Sequence, residues 1–391
     1  MARKLLVLNI FPTVFPPTSG GTLRYFHIYN ELSRYYDITL LSQSYGIRGK
    51  VIEYSSKFRE YLTEKDPLYP RIRQQLHDAA HTYELPLLMC LESANHHVLY
   101  KRYFKKLYHK SDIIIHESPY LLDCDLYFNK DKKPRIFNSH NHEYALAKQL
   151  WKNEKAREYL PRLYQAEQRL TSLADLIFAT SSAERDEFIR AYGLEPQKVK
   201  LAPNGINSGE WLTRRNRSAG RPKALFIGAQ YPPNIQAADF IVHKLADQCP
   251  NIDFIIAGGC CSSFQNPKKR NIKLLGSVQH QEKLALFADA DIAINPVITG
   301  AGVNIKTLEF LSAGIPLFST LFGIRGLELV DHKHYIHAEQ EDFADKLNEY
   351  AGRPEMLDKI ASNGQNYINS HYSWKSIAKK IYEAIEKTLS I

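Results

Sequence analysis

Residues 292–319 read IAINPVITGAGVNIKTLEFLSAGIPLFS, and the prediction of the fold starts from this stretch. An apolar run at Ile292–Asn295 predicts a buried strand, and a glycine-rich turn leads from it into a helix at Thr307–Ala313. A second apolar run, Ile315–Ser319, predicts the next strand. Nearly continuous apolar strands are typical of parallel sheets that are covered on both faces. The stretch therefore predicts an α/β fold.

The same alternation of short apolar runs and helical patterns continues through the rest of the chain. The predicted strands are Leu5–Ile10, Ile38–Ser42, Ile113–Ile115, Arg135–Asn138, Leu176–Thr180, Val199–Ala202, Ala224–Ile227, Asp253–Ala257, Ile272–Leu275, Ile292–Asn295 and Ile315–Ser319. The predicted helices are Gly21–Tyr35, Arg162–Ala174, Ala183–Tyr192, Ile235–Gln248, Gln281–Ala288 and Thr307–Ala313. A polar stretch, residues 206–222, interrupts the pattern and predicts a linker. We therefore predict two doubly wound Rossmann-like domains, residues 1–205 and 223–372, followed by an amphipathic helix at 373–391.

The composition is that of a globular protein. The chain has 391 residues, of which 44% are hydrophobic and 24% charged, and this balance excludes widespread disorder. Its five cysteines form no C-x-x-C pair, which disfavours a zinc site or a disulfide framework. No run approaches the ~18 apolar residues of a membrane span. We therefore predict a cytoplasmic protein that is at most attached to the surface of a membrane.

The net charge of +9 is confined to the first half of the chain. Residues 1–220 hold 33 Lys and Arg against 24 Asp and Glu, whereas residues 221–391 hold 18 of each. An anionic partner is therefore predicted for the first domain. Leu99–Lys110 predicts an amphipathic helix with a basic face, which either packs on the sheet with a solvated outer face or docks on an anionic membrane. No nucleic-acid-binding motif is present, so nucleic acid is not predicted as a partner.

The glycine-rich turn at residues 299–304 is a candidate phosphate site. Gly300 and Gly302 let a backbone approach a phosphate closely, and the following helix offers free N–H groups and the positive end of its dipole. Lys306 adds a positive charge, and Glu309 lies one turn further along the same face, where it could hold a ribose hydroxyl. The alternative is a glycine-rich connection with a surface Lys–Glu pair.

Two further candidates follow predicted strands of the first domain. His140 comes directly after Arg135–Asn138, at the end of a strand where α/β sheets bind ligands, and we prefer it to His142. The alternative is a polar loop that caps the next helix. Gly20 and Gly21 precede a predicted helix whose first turn contains Arg24, and they form either an ordinary tight turn or a backbone nest for an anion.

Several of these segments, in their order along the chain, resemble those of one enzyme family. The segments are Pro17–Arg24, Ser172–Ser182, Pro203–Ile206, Phe226–Gly228, Leu274–Val278 and Gly300–Thr320, the last of which contains Glu309 and the run Ser312–Pro316. Together they resemble the GT-B glycosyltransferases of the GT4 type. The similarity extends over nearly the whole chain except roughly residues 46–110.

The resemblance implies a GT-B fold, in which two Rossmann-like domains face each other across a cleft. It further implies that the second domain binds a nucleotide-sugar donor, that the first binds the acceptor, and that helix 373–391 returns to the first domain. The implied catalytic residues are His140, Lys306 and Glu309. The implied donor-binding residues are Gly20, Gly21, Arg24, Asn204, Gly228, Val278, Gly300, Ala301, Gly302, Val303, Asn304, Lys306 and Glu309. The family retains the anomeric configuration of the sugar and usually needs no metal.

The sequence departs from the family pattern at two points. The family commonly carries two glutamates eight residues apart, but Ala301 stands where the first of them would be. The Arg and Lys that often follow the first strand of the second domain are also missing, because Gly228 is followed by uncharged residues. Lys306 and the glycine loop are therefore expected to carry more of the phosphate binding.

These observations predict a retaining glycosyltransferase that needs no metal or other cofactor. Its expected substrates are a nucleotide-diphosphate sugar and a glycan or lipid-linked acceptor, in bacterial cell-surface polysaccharide synthesis. Two alternatives remain: a nucleotide-sugar epimerase with the same fold, and a subunit that binds sugar nucleotides without catalysis.

Overall fold

The structure is a computed structural model, and it describes residues 2–13, 15, 17, 20–44, 46, 49–76, 85–94, 98–129, 132–211, 220–264, 269–300 and 303–389. The chain divides into two compact units. Unit 1 comprises Met1–Pro203 together with Ile377–Ile391, and unit 2 comprises Asn204–Ser376. Each unit is built around its own sheet.

Unit 1 contains an eight-stranded sheet in the order β3-β4-β2-β1-β5-β6-β7-β8. Its strands are β1 Lys4–Leu8, β2 Asp37–Ser44, β3 Lys50–Ser55, β4 Phe58–Glu64, β5 Ile113–His116, β6 Arg135–Asn138, β7 Leu176–Ala179 and β8 Val199–Leu201. All neighbours are parallel except β3, which pairs antiparallel with β4.

The helices of unit 1 cover its sheet. They are α1 Gly20–Leu32, α2 Tyr69–Leu76, α3 Leu85–Ser93, α4 Val98–Tyr108, α5 Leu122–Phe128, α6 Glu143–Leu150, α7 Glu154–Arg157, α8 Leu160–Leu173 and α9 Ser182–Tyr192. The core between sheet and helices includes Leu6, Leu8 and Ile114 of the sheet with Tyr100 and Phe104 of α4. The apolar positions of α4 therefore face the sheet, and its basic residues lie on the other side.

Unit 2 contains a six-stranded sheet, all parallel, in the order β11-β10-β9-β12-β13-β14. Its strands are β9 Lys223–Ile227, β10 Asp253–Ala257, β11 Ile272–Leu274, β12 Ile292–Asn295, β13 Leu317–Ser319 and β14 Ile336–His337. Its helices are α10 Pro232–Phe240, α11 Ala246–Gln248, α12 His280–Asp289, α13 Ile305–Ser312, α14 Phe343–Tyr350 and α15 Pro354–His371. A π-helical turn, Ile241–Leu245, joins α10 to α11.

The last helix, α16 Trp374–Leu389, contributes residues to both units. Within unit 1, Tyr382 stacks on Tyr35 with ring centroids 4.2 Å apart. Glu386 accepts a hydrogen bond from Tyr36 and pairs with Arg3. These contacts attach the C-terminal end of the chain to the turn between α1 and β2 and to the residue before β1.

The predicted α/β class is confirmed, and each predicted strand overlaps an observed one. The hairpin of β3 and β4 was not predicted, and neither was β14. Strand β3 alternates between exposed and half-buried residues and lies at the edge of the sheet, where polar strands avoid pairing with other chains. Among the described residues, no helix is long and apolar enough to cross a membrane.

The strand order of each sheet reverses at one point. In unit 1 the reversal lies between β1 and β5, and in unit 2 it lies between β9 and β12. In sheets of this kind, ligands bind outside the carboxyl ends of the strands at the reversal, because the flanking loops there leave a crevice. A functional site is therefore expected in the loops that follow these four strands.

Candidate functional site

In unit 2, the loops after β9 and β12 meet at the point of reversal. Gly228 follows β9, and a β-carbon placed on it would lie 2.8 Å from Cβ of Asn234, so only glycine fits there. Gly300 follows β12 and has φ of +119°, a conformation that side chains disfavour. A β-carbon on Gly300 would lie 3.2 Å from Pro233 and 3.6 Å from Nη2 of Arg325. No side chain therefore covers the backbone at Gly228 and Gly300, and at Gly300 the guanidinium group of Arg325 lies beside it.

Arg325 reaches this place because its loop is tied to α13. The carbonyl oxygen of Gly323 accepts hydrogen bonds from the side chains of Asn295, Asn304 and Thr307, at 3.0, 3.1 and 2.8 Å. The guanidinium of Arg325 donates to the carbonyl of Phe322 and lies 4.0 Å from the centroid of its ring. Burial lowers the pKa of Arg325 to about 10, so it remains a cation at neutral pH.

Lys306 lies in the first turn of α13 and points towards β9 and α10. Its ammonium nitrogen Nζ donates to Oδ1 of Asn234 at 2.6 Å and lies 4.4 Å from the ring centroid of Phe226. The hydrogen-bond partner is thus a neutral amide, although the cation is partly removed from water. A neutral partner offsets little of the cost of removing a charge from water.

The electrostatic consequence is a lysine that loses its proton easily. The pKa of Lys306 is lowered to about 7, chiefly by burial and in smaller part by the neighbouring cations Arg325 and Lys283. Cys260 and Glu309 act in the opposite direction. An incoming diphosphate would supply the counter-charge that this position lacks, because an opposite charge nearby favours the protonated form of a lysine.

Glu309 lies one turn after Lys306 but has a different partner. Its Oε2 accepts from Nζ of Lys283 on α12 at 2.7 Å, and both side chains are mostly buried. The ammonium of Lys283 also lies 4.8 Å from the ring centroid of Trp211. Lys283 therefore holds the carboxylate of Glu309 in position. The sequence analysis did not name Lys283 as a site residue.

The other predicted residues of unit 2 lie at several places along the unit. Val303 is half-buried before α13, and Asn304 occupies the N-cap position of that helix. Val278 is half-buried between β11 and α12, and Asn204 lies at the start of the unit. Ala301 and Gly302, which were also predicted for the site, lie outside the described residues.

In unit 1, a buried polar network lies at the ends of β5 and β6. Glu117 follows β5 and is fully buried. Its Oε1 accepts hydrogen bonds from Tyr29 and, at 2.8 Å, from Asn138. Its Oε2 lies 2.5 Å from Nε2 of His140, whose ring also contacts that of Tyr25 at 4.2 Å between centroids. Because Glu117 occupies Nε2, Nδ1 is the ring nitrogen that remains to contact a ligand.

Arg24 takes part in this network and does not face solvent. The residue is 1% exposed, and its guanidinium donates to Ala202, Asn138 and Ser139. The assignment of Arg24 to the donor site stays a prediction; in the described structure its side chain holds the ends of the strands around Glu117. Helical periodicity places a residue on a face, but it does not reveal that the face meets buried acceptors.

Gly20 and Gly21 form the start of α1. A β-carbon placed on Gly21 would meet no atom within 4 Å. Packing within the described structure therefore does not require glycine at position 21, and the backbone there is open to approach.

His142, the alternative to His140, belongs to a structural cluster. It is 4% exposed, and its ring lies against Phe188 and Tyr192. Nearby, Glu167 accepts from the backbone N–H groups at the start of α6, and burial raises its pKa to about 8. This cluster caps α6, and the preference for His140 as a site residue stays a prediction.

Four residues of these clusters were missed by the sequence analysis: Glu117, Asn234, Lys283 and Arg325. Glu117 carries a readable signal, since a charged residue directly follows the apolar strand Ile113–His116. The other three reach the site from loops and helices distant in sequence. In the described part of the chain, no group of three or more His, Cys, Asp or Glu residues could hold a metal ion.

Two family models match the chain. The model described as "Glycosyltransferase Family 4" matches residues 61–210, and the model described as "Glycosyl transferase-like" matches residues 236–383. An uncharacterized 44.6 kDa protein in the cps region of Klebsiella pneumoniae is 23% identical over 71% of this chain and 75% of its own length. A subunit of phosphatidylinositol N-acetylglucosaminyltransferase from Saccharomyces cerevisiae is 24% identical over 56% of this chain and 53%, about half, of its own length.

Solved structures share the fold over almost the full length. Sucrose-phosphate synthase from Thermosynechococcus elongatus has a TM-score of 0.69 at 14% identity and covers 99% of both chains. An Anabaena protein in complex with UDP has a TM-score of 0.65 at 13% identity and covers 98% of this chain and 100% of its own. The matches by both family models and the shared two-domain, Rossmann-like architecture agree with each other, and the chain therefore belongs to the GT4-type glycosyltransferases of the GT-B fold.

Proposed function

We propose that the protein is a retaining hexosyltransferase that takes its sugar from a nucleotide-diphosphate donor. The observation that carries the proposal is a pair of interacting cations at the strand-order reversal of unit 2: Arg325, beside the backbone of Gly300, and Lys306, in the first turn of α13. Two desolvated cations next to a glycine turn and a helix N-terminus suit a diphosphate.

The proposed chemistry follows from where charge develops. As the bond between the sugar and the diphosphate breaks, negative charge grows on the leaving phosphate. Lys306 and Arg325, already held in place by Asn234 and Phe322, would stabilise that charge without moving. We propose that these cations replace a metal ion and that the reaction needs no cofactor.

Glu309 is proposed to bind the ribose of the donor. Its carboxylate can accept hydrogen bonds from two hydroxyls, and the hydrogen bond from Lys283 holds it in position. The helix that carries Lys306 carries Glu309 one turn later, so one rigid element would bind neighbouring groups of the same nucleotide.

His140 is proposed to hydrogen-bond the transferred sugar through Nδ1, because Glu117 occupies Nε2. Its side chain remains 13% exposed, whereas that of Glu117 has no exposed surface. Glu117 would thus act only through the histidine. The departing phosphate is proposed to take the proton of the acceptor hydroxyl.

The acceptor is proposed to be a glycan or a lipid-linked saccharide of the bacterial cell surface. One relative is described as a protein of a cps region, and one structural neighbour as a lipopolysaccharide outer core galactosyltransferase. Other relatives are described as acting on phosphatidylinositol and inositol phosphate, so acceptors in the wider family vary.

Helix α4 is proposed to bring the protein to an anionic membrane. Arg102, Lys105 and Lys106 are exposed on it, Lys110 is exposed in the turn after it, and Lys101 lies beside the exposed ring of Tyr127. Wild type should sediment with anionic vesicles and be released by salt, because exposed charges are screened. Joint neutralisation of the four cations at 101, 102, 105 and 106 should reduce sedimentation. Absence of vesicle binding at low salt would contradict membrane attachment.

The function is tested by incubating the protein with radiolabelled nucleotide sugars and a mixture of glycan and lipid-linked acceptors. We expect a labelled glycoside whose anomeric configuration matches the donor, and we expect the yield to survive EDTA. Isomerised donor would indicate an epimerase, and binding without turnover would indicate a non-catalytic subunit. Loss of transfer on chelation, restored by a divalent ion, would overturn the metal-independent proposal.

A further inference from the structure

The side chain of Asn234 lies at the strand-order reversal of unit 2, between the loop after β9 and the start of α13. Asn234 is the third residue of α10, whose N-cap residue is Tyr231. Its Nδ2 donates to the carbonyl oxygen of Ala229 at 3.2 Å, and its Oδ1 accepts from Nζ of Lys306 at 2.6 Å. A lysine ammonium can only donate, so these two bonds fix which end of the amide faces it. The loop after β9 thus holds the amide in the orientation that binds Lys306.

Lys306 has a hydrogen-bond partner but no anionic one. In the described part of the chain that partner is Asn234, and no carboxylate there forms an ion pair with Lys306. Glu309, one turn further along α13, binds Lys283 instead. The titratable and charged groups that act on the charge of Lys306 are Cys260 after β10, Lys283 of α12, Glu309 of α13 and Arg325 after β13. Two of these four are cations, so the ammonium is held in place without a counter-charge of its own.

The neutral amide at position 234 is not what the helix alone would favour. The first turn of a helix carries a partial positive charge, which favours an acidic side chain over an uncharged one. A carboxylate at this position would also pair with Lys306 directly. Such a pair would neutralise the lysine before any ligand arrived, and the carboxylate would repel an incoming phosphate. A neutral oxygen fixes the ammonium and leaves its charge available.

We propose that Asn234 is a positioning residue, whose amide fixes the ammonium of Lys306 and, being uncharged, leaves the counter-charge to be supplied by the ligand. Resting on the proposed function, that ligand is the diphosphate of the donor. Two consequences follow from the geometry. A carboxylate in place of the amide should make Lys306 keep its proton to higher pH. The amide should also contribute to donor affinity only while Lys306 is present, because it acts through the lysine.

The first test uses the full chain without ligand. The protein is made with isotope-labelled lysine, the Cε signals are followed by NMR as the pH is raised, and the signal that is absent in Lys306→Ala identifies Lys306. The wild-type side chain should titrate near its lowered pKa of about 7. Asn234→Asp should raise this midpoint by about 1–3 pH units, the usual effect of an adjacent opposite charge. Asn251→Asp adds the same charge at an exposed asparagine of the same unit and should leave the midpoint unchanged.

The second test measures the binding of UDP-glucose, as the probe nucleotide sugar, by calorimetric titration. It compares wild type, Asn234→Ala, Lys306→Ala and the double variant. Asn234→Ala alone should bind roughly tenfold more weakly, because the ammonium is no longer held. In the Lys306→Ala background the same change should have little further effect, since two residues that act through one contact are not additive. Both variants at position 234 lose the bond to Ala229, so the difference between them reports the added charge.

An unmoved midpoint in Asn234→Asp, or a shift equal to that in Asn251→Asp, would overturn the proposal. An equal loss of affinity on Asn234→Ala with and without Lys306 would also overturn it, because the amide would then act independently of the lysine. Since the NMR test needs no ligand, it decides the positioning role separately from the proposed function. A midpoint that shifts as expected, together with wild-type affinity in Lys306→Ala, would support the positioning role and contradict the assignment of the diphosphate to this lysine.

Discussion

The two polar clusters differ in how their charges are balanced. In unit 1, Glu117 is surrounded by donors from the same unit, and the neighbouring cation Arg24 shares Asn138 with it. In unit 2, Lys306 is held by the neutral amide of Asn234, and its pKa is lowered by burial to about 7. A cluster that is complete without ligand serves to position groups. A cluster with desolvated cations gains most when an anion arrives.

Because of this difference, we expect substitutions in unit 1 to change mainly the stability of the fold and substitutions in unit 2 to change mainly the binding of a ligand. Removing a charge from the cluster of unit 1 leaves its buried partners without compensation, which is among the most costly changes in a protein interior. Removing the charge of Lys306 relieves a desolvation cost, so the fold should lose little. We expect the largest effect from a substitution in the cluster of unit 1.

The change Glu117→Ala should destabilise unit 1 strongly. It removes the carboxylate that interacts most strongly with the charge of Arg24, and Tyr29, Asn138 and His140 each lose a hydrogen bond. We expect a loss of about 3–5 kcal/mol in the free energy of unfolding, measured by urea denaturation. Glu158→Ala, at an exposed glutamate of the same unit, is the control. Equal midpoints for both variants would contradict the positioning role.

The change Arg325→Ala should act on binding instead. A hydrogen bond to a charged group contributes about 1.5–3 kcal/mol, so the affinity for a nucleotide sugar should fall roughly 10- to 100-fold. Calorimetric titration measures the effect. Arg353→Ala, at an exposed arginine of the same unit, should keep the wild-type affinity. If both variants bind like wild type, Arg325 does not contact the diphosphate.

The smallest structural change, Gly21→Ala, should leave stability almost unaltered. An added methyl meets no atom within 4 Å, and alanine favours a helix over glycine by roughly 0.5–1 kcal/mol. Transfer activity should nevertheless fall if a substrate approaches the backbone there. Thermal unfolding and the radiolabel assay are measured together. Full activity in a stable variant would remove position 21 from the site.

The sequence was most informative where local pattern determines structure. Apolar runs predicted the strands of both units, and the turn after β12 led to Lys306 at the start of α13. Strand β3 escaped prediction because its pattern of exposed and half-buried residues resembles a polar loop. Local pattern also placed Arg24 in the first turn of a helix, but its burial depends on Asn138 and Ala202, which are distant in sequence.

Contacts that depend on tertiary packing could not be predicted from the sequence. Arg325 lies in a loop after β13, and it reaches Gly300 only because Asn295, Asn304 and Thr307 bind the carbonyl of Gly323. The same holds for Lys283, which belongs to another helix than Glu309. The sequence analysis expected Lys306 and the glycine loop to carry more of the phosphate binding, and it did not name Arg325, because no sequence pattern marks that residue.

The central claim, that Lys306 binds the diphosphate of the donor, is tested by calorimetric titration with a nucleotide sugar at several values of pH. The free lysine has its pKa lowered to about 7, and a bound diphosphate would raise it. Binding then requires the protonated amine, so affinity should be full below pH 7 and decline as the pH rises above it. The diphosphate of a nucleotide sugar keeps a constant charge across this range.

Lys306→Ala should bind roughly 10- to 100-fold more weakly than wild type at pH 6, with no decline at higher pH, because the titrating group is gone. Lys359→Ala, at an exposed lysine of α15, is the matched control and should follow the wild-type curve. A folded Lys306→Ala protein with wild-type affinity and the wild-type pH dependence would contradict the assignment of this lysine to the donor site.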